Sequence, residues 1–468
     1  MRRILLGVLV IVAFATLLTS AAEDYGSFEG VTINVAVLSG DHPVAWDSAI
    51  GGFEALTGAN VEIIDLSWGD LYSKQFLELV SHTGIYDIIE VAGFWIPDFV
   101  MNGLLAPLDQ YYADYDWAVS DIVPAYQSIG TYGGSRYSVI ADGDVLALYY
   151  RKDLFEDVKY QADFLAEYGR ELEVPATWDD YFEVAAFFNE MDTDGDGEID
   201  LYGNEAMLDR GTGFITYMQL LRSFGGFFFD PDTMEPAITG AAGTKAMETL
   251  VQMTEYMSAG AAAHDFTVSR DNFTNGNAAM VLQWADVGAW SGTAEGSAVV
   301  GNVGTGIVPA GVLDGVTYQK SELAWNWQWG ISADSDNKLA AAQLLRYMTS
   351  PSVSLDIIAL ARGYDPYRTS HYENDEWAAD WFPGAQDFIA GLKANMAYGA
   401  YDLYIPGSQQ YMDAIGKHLG DIITGSVSIE AGLQRIADEF NDITDRWGRE
   451  SQMAFYLDYL REYWGWDG

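Results

Sequence analysis

The sequence predicts an α/β protein that is large enough to form two lobes. Its 468 residues are too many for one small core and suit two lobes or domains. Strand and helix patterns alternate from residue 31 to residue 91, the order that produces a parallel sheet with helices on its faces. Hydrophobic residues make up 49% and charged residues 20%, which is typical of a globular chain.

The first five elements follow from hydrophobic periodicity. Alternation at 31–37 predicts a strand, and 61–66 and 86–91 predict two more. Helical spacing lies between them at 46–56, which stops at Thr57-Gly58, and at 71–80. Because ligand loops follow the carboxyl ends of parallel strands, polar and aromatic residues at those ends are candidate site residues.

The later elements rest on the same signals. Thr177 is a predicted helix N-cap, with Asp179 and Asp180 in the first turn, where the helix dipole favours acids. We also expect a turn at Gly133-Gly134, strands at 137–140, 145–150, 302–309 and 323–332, and helices at 213–224, 243–259, 339–349, 408–424 and 428–445.

The charge balance excludes one class of partner. Acidic residues number 69 and basic residues 23, so the formal net charge is −46. Phosphate binding needs clustered Lys and Arg, so nucleic acid is an unsuitable partner, and anionic lipid is equally disfavoured. Adaptation to salty surroundings and plain solubility explain such an acidic surface equally well.

The N-terminus has the pattern of a secretory signal peptide at 1–22. Arg2 and Arg3 precede an apolar run at 4–18, and Ser20-Ala21-Ala22 supplies small residues for cleavage after Ala22. An uncleaved N-terminal anchor is the alternative. With no Cys in the chain there is neither a disulfide nor a lipid-anchor residue. We therefore expect a freely diffusing periplasmic protein that is not inserted in the membrane.

Six segments, in order, resemble one protein family. They are FEALTG at 53–58 followed by Val61, YDIIE at 86–90 with FVMNGLLAPLD at 99–109, LYYRKDLF at 148–155, VPATWDD at 174–180, FTNGNAAM at 273–280, and 337–348 followed by Ser350-Pro351. Together they are similar to the family 1 extracellular solute-binding proteins of ABC importers, the maltose-binding-protein-like group. GYDPYRTSHY at 363–372 and FWIP at 94–97 resemble its sorbitol and mannitol branch.

The resemblance implies a periplasmic-binding-protein-like fold of two α/β lobes that close by hinge motion on a ligand in the cleft between them. Lobe one would comprise 28–141 plus 306–349, and lobe two 142–305 plus 350–468. It also implies that a monomer carries a sugar, oligosaccharide or polyol to the permease subunits of an ABC transporter, without enzymatic activity.

Aromatic and planar polar residues at strand ends are the candidate ligand contacts, because flat rings cover sugar C–H faces and planar polar groups bond hydroxyls. On a strand, Trp325, Trp327 and Trp329 would share one face, with Asn326 on the other. Core packing or a solvated loop is the alternative for each candidate, and a buried ion pair for Arg368. The candidates are Ser39, Asp41, His42, Trp46, Trp68, Glu90, Phe94, Trp95, Asp142, Asp144, Trp284, Asp286, Trp325, Asn326, Trp327, Tyr364 and Arg368.

A separate acidic segment has the spacing of an EF-hand-like calcium loop. Its candidate ligands are Asp192, Asp194, Asp196, the carbonyl group of Glu198, and Asp200. Position 12 is Gly203 where a bidentate Glu is expected, and Glu205 two residues on is a candidate substitute. A structural Ca²⁺ and a solvated acidic turn are both consistent with this pattern. No other cofactor is expected.

Catalytic motifs are scarce. The chain contains no His-Glu-x-x-His, Gly-x-Ser-x-Gly or Walker pattern. Paired carboxylates are so frequent in an acidic chain that counting them does not exclude a secreted glycosidase. A binding protein that serves chemoreception rather than uptake is the other alternative.

Overall fold

The computed structural model describes residues 24–193, 195–293, 295–323 and 325–466, so the predicted signal peptide and Asp194 lie outside the described residues. Its strands are β1 Thr32–Leu38, β2 Asn60–Leu66, β3 Ile88–Val91, β4 Thr131–Tyr132, β5 Ser135–Arg136, β6 Ser138–Ile140, β7 Ala147–Arg151, β8 Glu205–Ala206, β9 Met280–Gln283, β10 Val303–Gly306, β11 Gly311–Leu313, β12 Val316–Tyr318, β13 Ser321–Leu323, β14 Gln328–Ile331 and β15 Gly399–Tyr401. Its helices are α1 Asp41–Thr57, α2 Trp68–Val80, α3 Ile96–Met101, α4 Asp109–Asp114, α5 Lys152–Phe155, α6 Val158–Tyr168, α7 Trp178–Phe188, α8 Gly213–Ser223, α9 Ala241–Met253, α10 Phe266–Thr274, α11 Asp286–Thr293, α12 Lys338–Met348, α13 Pro351–Leu360, α14 Thr369–Tyr372, α15 Asp375–Trp381, α16 Ala385–Met396, α17 Ser408–Ile423, α18 Ile429–Trp447 and α19 Arg449–Trp464.

The first sheet has the strand order β2-β1-β3-β14-β6. Strand β1 pairs in parallel with β2 and β3, as the alternation of strands and helices predicts. Strand β14 is antiparallel to both β3 and β6, so the sheet is mixed rather than wholly parallel. Strand β14 has this direction because the chain enters it directly from a crossing segment and not through a helical crossover.

The second sheet has the order β10-β7-β9-β8. Strand β7 is antiparallel to β10 and β9, whereas β8 is parallel to β9. The chain crosses between the two sheets at 141–146 and again at 307–327. Helix α13, from the segment predicted for lobe two, packs against α1. The lobe boundaries stay a prediction.

Local signals explain several helix ends. The side chain of Thr177 accepts a hydrogen bond from the Asp180 N–H at 3.2 Å, and the Asp180 carboxylate accepts one from the Thr177 N–H at 3.1 Å. This capping box begins α7 where the sequence predicts it. Helix α1 ends at Gly58, whose φ of 74° is left-handed, but it begins at Asp41, one turn before its apolar pattern. Asp41 and His42 therefore lie in its first turn.

Within the described part of the chain, every helix falls short of the length and hydrophobicity needed to cross a membrane.

His371 is a buried histidine that links α14 to α13. Its side chain is 1% exposed, and its Nε2 lies 3.0 Å from the Ser354 hydroxyl oxygen. Burial, reinforced by the positive charge of Arg368, lowers the pKa of His371 to about 3. The folded protein therefore keeps this ring neutral at a pH where the unfolded chain protonates it.

This difference predicts an acid-dependent loss of stability. Below the unfolded pKa of 6.5 the unfolded state binds a proton that the folded state does not, so the free energy of unfolding falls as the pH falls towards 3. Between pH 7.5 and pH 5, urea unfolding of the wild type should lose about 2 kcal/mol more than that of His371→Gln. The exposed His82→Gln variant is the control and should follow the wild type. Parallel pH profiles for wild type and His371→Gln would contradict this assignment.

Candidate ligand-binding site

Six aromatic side chains, on segments from both parts of the chain, surround Trp325. We call these seven residues the aromatic cluster. The ring of Trp325 lies 4.9 to 6.0 Å from six other rings, measured between centroids. Those rings are Trp68, Phe94 and Trp95, which follow strands β2 and β3 of the first sheet, Trp284, which follows β9 of the second, Phe214 on α8, and Trp327 on the crossing segment. The cluster therefore spans the junction between the lobes.

The segment that carries Trp325 is a loop and not the predicted strand. Trp325 and Asn326 have φ values of 77° and 41°, in the left-handed region, and strand β14 begins only at Gln328. The prediction that Trp325, Trp327 and Trp329 share one strand face is wrong for this reason. Trp329 lies apart from the other two and packs on Trp46, with ring centroids 4.6 Å apart.

Hydrogen bonds hold the loop in this conformation. The N–H of Trp325 donates to Asp402 Oδ2 at 2.7 Å, and its carbonyl oxygen accepts from the N–H of Gly93 at 2.6 Å. The Asn326 side chain donates to the Leu323 carbonyl oxygen at 2.7 Å. Two non-glycine residues in the left-handed region are strained, and such strain persists only where the surroundings enforce it, often at ligand sites.

A polar network centred on Glu90 lies beside the cluster. Its carboxylate accepts hydrogen bonds from the Leu38 N–H at 2.9 Å, His42 Nδ1 at 2.8 Å, Trp329 Nε1 at 3.1 Å and the Tyr364 hydroxyl. Burial raises the pKa of Glu90, but His42, Tyr364 and Leu38 outweigh it, and the pKa lies below its usual value. Glu90 thus ties together strands and loops that arrive from distant parts of the chain.

His42 joins that network to the aromatic cluster. Its ring lies edge-on to Trp327, with centroids 5.2 Å apart, and 4.6 Å from the ring of Tyr364. Burial lowers the pKa of His42, but the charge of Glu90 and the hydrogen bond to it raise the pKa above 6.5. The imidazole therefore links the Glu90 carboxylate to the ring of Trp327.

Carboxylates from the crossing segment and the second sheet converge on the same region. Asp142 accepts a hydrogen bond from the Asp365 N–H at 2.7 Å, and Asp144 lies two residues on. Burial raises the pKa of Asp142 to about 6. Burial, with the charge of Asp142 added, raises the pKa of Asp286 to about 8. These groups are acceptors for the hydroxyl or ammonium donors of a ligand.

Several buried polar atoms in this region have no hydrogen-bond partner. They are Asp41 Oδ2, Asp286 Oδ1, Trp325 Nε1, Asn326 Oδ1 and Asp365 Oδ1. A buried polar group without a partner costs about 1–3 kcal/mol, and native structures contain few of them. Other unpartnered atoms lie elsewhere in the protein, but the five named here are donors and acceptors that a ligand with both kinds of group would complete.

Among the predicted site residues outside the aromatic cluster, three make contacts within the protein interior. Trp46 is fully buried and packs in the core behind the cleft, and Tyr364 is 1% exposed with its hydroxyl on Glu90. Arg368 donates to the carbonyl oxygens of Ala118, at 3.0 Å, and Thr349, and lies 3.6 Å from Asp121. These contacts agree with the alternative of a buried ion-pair partner, and ligand contact by Arg368 stays a prediction.

Sequence reasoning missed Phe214 and Asp365. Phe214 lies in the first turn of α8, where nothing in the spacing distinguishes it from a core residue. Asp365 stands between the candidates Tyr364 and Arg368 in GYDPYRTS, and this position beside two predicted contacts was the available signal.

Two carboxylates of the predicted calcium loop accept hydrogen bonds from other residues of the same loop. Asp192 accepts from the N–H groups of Gly195 at 2.6 Å and Gly197 at 2.9 Å. Asp200 accepts from the Thr193 N–H at 3.0 Å and its hydroxyl at 2.7 Å. Such bonds also order a solvated turn, and Asp194 lies outside the described residues. Calcium at this loop stays a prediction.

A family model matches residues 39–354 of the chain, and its description is bacterial extracellular solute-binding protein. The match includes every strand of the two main sheets except β1, together with both crossing segments.

The individual relatives have low sequence identity to this chain, but the matches cover most of both chains. A mannitol-binding protein of Pseudomonas aeruginosa is 24% identical over 370 residues, covering 76% of this chain and 80% of the relative. A probable amino-acid ABC transporter periplasmic-binding protein of Sinorhizobium fredii is 23% identical over 385 residues, covering 81% and 82%. A solute-binding protein of Agrobacterium radiobacter, solved with ribitol, has a TM-score of 0.75 at 22% identity, covering 89% of this chain and all of that one, and shares the fold.

Proposed function

Because the chain belongs to the bacterial extracellular solute-binding proteins, we propose that it captures a polyol or a sugar between its lobes and delivers it to the permease of an ABC importer. The observation that carries the proposal is the aromatic cluster, to which both sheets contribute, beside buried carboxylates. Rings supply flat apolar surface for C–H groups, and carboxylates accept hydrogen bonds from hydroxyls.

The unpartnered atoms support a ligand with many hydroxyl groups. Carboxylate oxygens of Asp41 and Asp286 need donors, and the Trp325 indole N–H needs an acceptor. A hydroxyl group both donates and accepts, so a short polyol meets these needs at several positions at once. The mannitol-binding relative and the ribitol-bound neighbour are consistent with this ligand class.

An amino acid is the second candidate, because one relative is named as a probable amino-acid-binding protein. Its ammonium group would suit the carboxylates. Its own carboxylate, however, would lie among the acidic side chains of Asp142, Asp144, Asp286 and Asp365 and would find no cationic partner among them. The acidic lining of the site therefore favours a neutral ligand over a zwitterion.

The mechanism follows from the position of the cluster. A ligand that contacts rings from both lobes stabilises the closed arrangement, and its higher affinity for the closed state shifts the equilibrium towards it. The closed form is what the transporter recognises. On this account the protein acts in the periplasm as a monomer, after removal of residues 1–22, and leaves its ligand chemically unchanged.

A ligand screen tests the proposal. Thermal unfolding with polyols, sugars, oligosaccharides and amino acids should show a selective rise in Tm for one polyol or sugar. Calorimetry should then give one site per chain, and chromatography should recover the ligand intact. Selective binding of an amino acid would replace the ligand class, and formation of a cleaved product would indicate a hydrolase.

We also propose that the loop at 192–200 binds a structural Ca²⁺. The supporting feature is the spacing of Asp192, Asp196 and Asp200. A bound Ca²⁺ would offset the repulsion among their carboxylates. Millimolar Ca²⁺ should raise the Tm of the wild type, and Asp192→Asn should reduce that rise. The exposed Asp163→Asn variant on α6 should retain it. An identical rise in Tm for wild type and Asp192→Asn would show that the stabilising calcium does not bind at this loop.

A further inference from the structure

Three buried aspartates approach one another where the chain crosses between the lobes. One oxygen atom from each of Asp142, Asp144 and Asp365 lies within 4.8 Å of the others. These residues are 1%, 6% and 1% exposed, respectively. This is the group of acidic or histidine side chains, among the residues described, whose geometry suits a single bound cation. We call it the crossing triad.

The crossing triad has no cationic partner in the described part of the chain. None of the ion pairs there includes any of its three carboxylates. The facing groups are the hydroxyls of Tyr126, Tyr149 and Tyr372, the acid Asp286 on α11, and His42 on α1, whose ring is already paired with Glu90. Three carboxylates in such surroundings repel one another strongly.

A second observation points to a ligand. Asp365 is almost completely buried, yet its Oδ1 has no hydrogen-bond partner. An isolated carboxylate oxygen in the interior is costly unless a charge or a donor reaches it. The crossing triad therefore has one oxygen atom, Asp365 Oδ1, that accepts no hydrogen bond from the described residues.

The backbone around the triad is built to keep the three residues together. The N–H of Gly143 donates to the Asp365 carbonyl oxygen at 3.2 Å. A Cβ atom at Gly143 would lie 1.9 Å from the Pro366 carbonyl oxygen, so the two segments approach as closely as glycine allows. Asp142 and Asp144 flank this glycine and therefore point towards the same loop.

We propose that Asp142, Asp144 and Asp365 bind one divalent metal ion with a preference for oxygen ligands, Ca²⁺ above all, at the crossing between the lobes. Ca²⁺ binds oxygen at 2.3–2.6 Å, so two of its ligands lie at most about 5 Å apart, as in the triad. It takes six to eight oxygens in flexible geometry, whereas Mg²⁺ demands a near-ideal octahedron. The ion would join the crossing segment to the loop at 363–368.

The experiment separates this site from the loop at 192–200. The full-length secreted protein, carrying Asp192→Asn to silence that loop, is freed of metal with a chelator and titrated with Ca²⁺ in a calorimeter. We expect one Ca²⁺ per chain and a higher Tm. Tb³⁺ in place of Ca²⁺ should luminesce on excitation of tyrosine, since three tyrosines face the triad.

Two further variants in that background identify the ligands. Asp365→Asn and Asp144→Asn should each weaken Ca²⁺ binding at least tenfold and abolish the Tb³⁺ signal, and circular dichroism verifies folding of each. Asp356→Asn, an exposed aspartate on α13, should leave both unchanged. Absence of Ca²⁺ binding at millimolar concentration would overturn the proposal, as would binding that both triad variants retain. Polyol affinity measured without metal reports separately on the proposed function.

Occupation by an ammonium group of the transported ligand is the competing possibility. In that case Ca²⁺ would not bind to the metal-free protein. An amine-bearing ligand would bind the same protein and lose affinity in Asp365→Asn. That pair of results would likewise overturn the metal site.

Discussion

Replacing Trp325 with alanine should weaken ligand binding by roughly 1–3 kcal/mol, or about 5- to 150-fold in Kd. Its indole ring contacts aromatic side chains from both sheets, including Trp68 at 4.9 Å and Trp284 at 6.0 Å between centroids. Loss of the ring removes the surface that joins the two sides of the cleft. Buried aromatic anchors at the centre of an interface carry a disproportionate share of binding energy.

Calorimetry with the ligand identified in the screen measures this effect. Trp377→Ala is the matched control, because Trp377 stacks on Trp381 in α15, away from the aromatic cluster. It should bind with the affinity of the wild type. An unchanged Kd for Trp325→Ala, in a protein that is folded by circular dichroism, would move the ligand site away from the cluster.

Replacing Glu90 with alanine should destabilise the protein by about 3–5 kcal/mol. The carboxylate is fully buried and accepts hydrogen bonds from Leu38, His42, Trp329 and Tyr364. Its removal leaves those donors without an acceptor and leaves the buried imidazole of His42 without its counter-charge. Such losses are among the most destabilising single changes in proteins.

Urea unfolding at pH 7.5 measures the change in the free energy of unfolding. Glu62→Ala is the control, since Glu62 is exposed on the edge strand β2 of the same sheet, and a surface change of this kind costs about 0.5 kcal/mol or less. A loss below about 1 kcal/mol for Glu90→Ala would show that the network does not hold the first sheet and its loops together.

Most of the fold was predictable because its signals are local. Strands β1 to β3 follow from short runs of alternating or apolar residues, and α7 follows from its cap at Thr177. These patterns depend on neighbours within a few residues, so one sequence carries them. The antiparallel direction of β14 was not predictable in this way, because it depends on the route of the chain between the sheets.

The sequence predicted the region of the candidate site, but not the conformation of the loop that carries its central residues. Trp325 and Trp327 do lie between the lobes, but the alternating WNWQW pattern wrongly indicated a strand. The loop conformation depends on the hydrogen bond from Trp325 to Asp402, which is 77 residues away in the sequence. Phe214 and Asp365 were missed for the same reason, since only tertiary structure brings them to the cleft.

Small-angle X-ray scattering with and without saturating ligand is the most direct test of binding between the lobes. If the ligand bridges the aromatic cluster from both sides, the radius of gyration should be smaller in the saturated protein than in the free protein. The same preparation should show binding by calorimetry. An unchanged radius of gyration for a ligand that binds with one site per chain would contradict capture by closure.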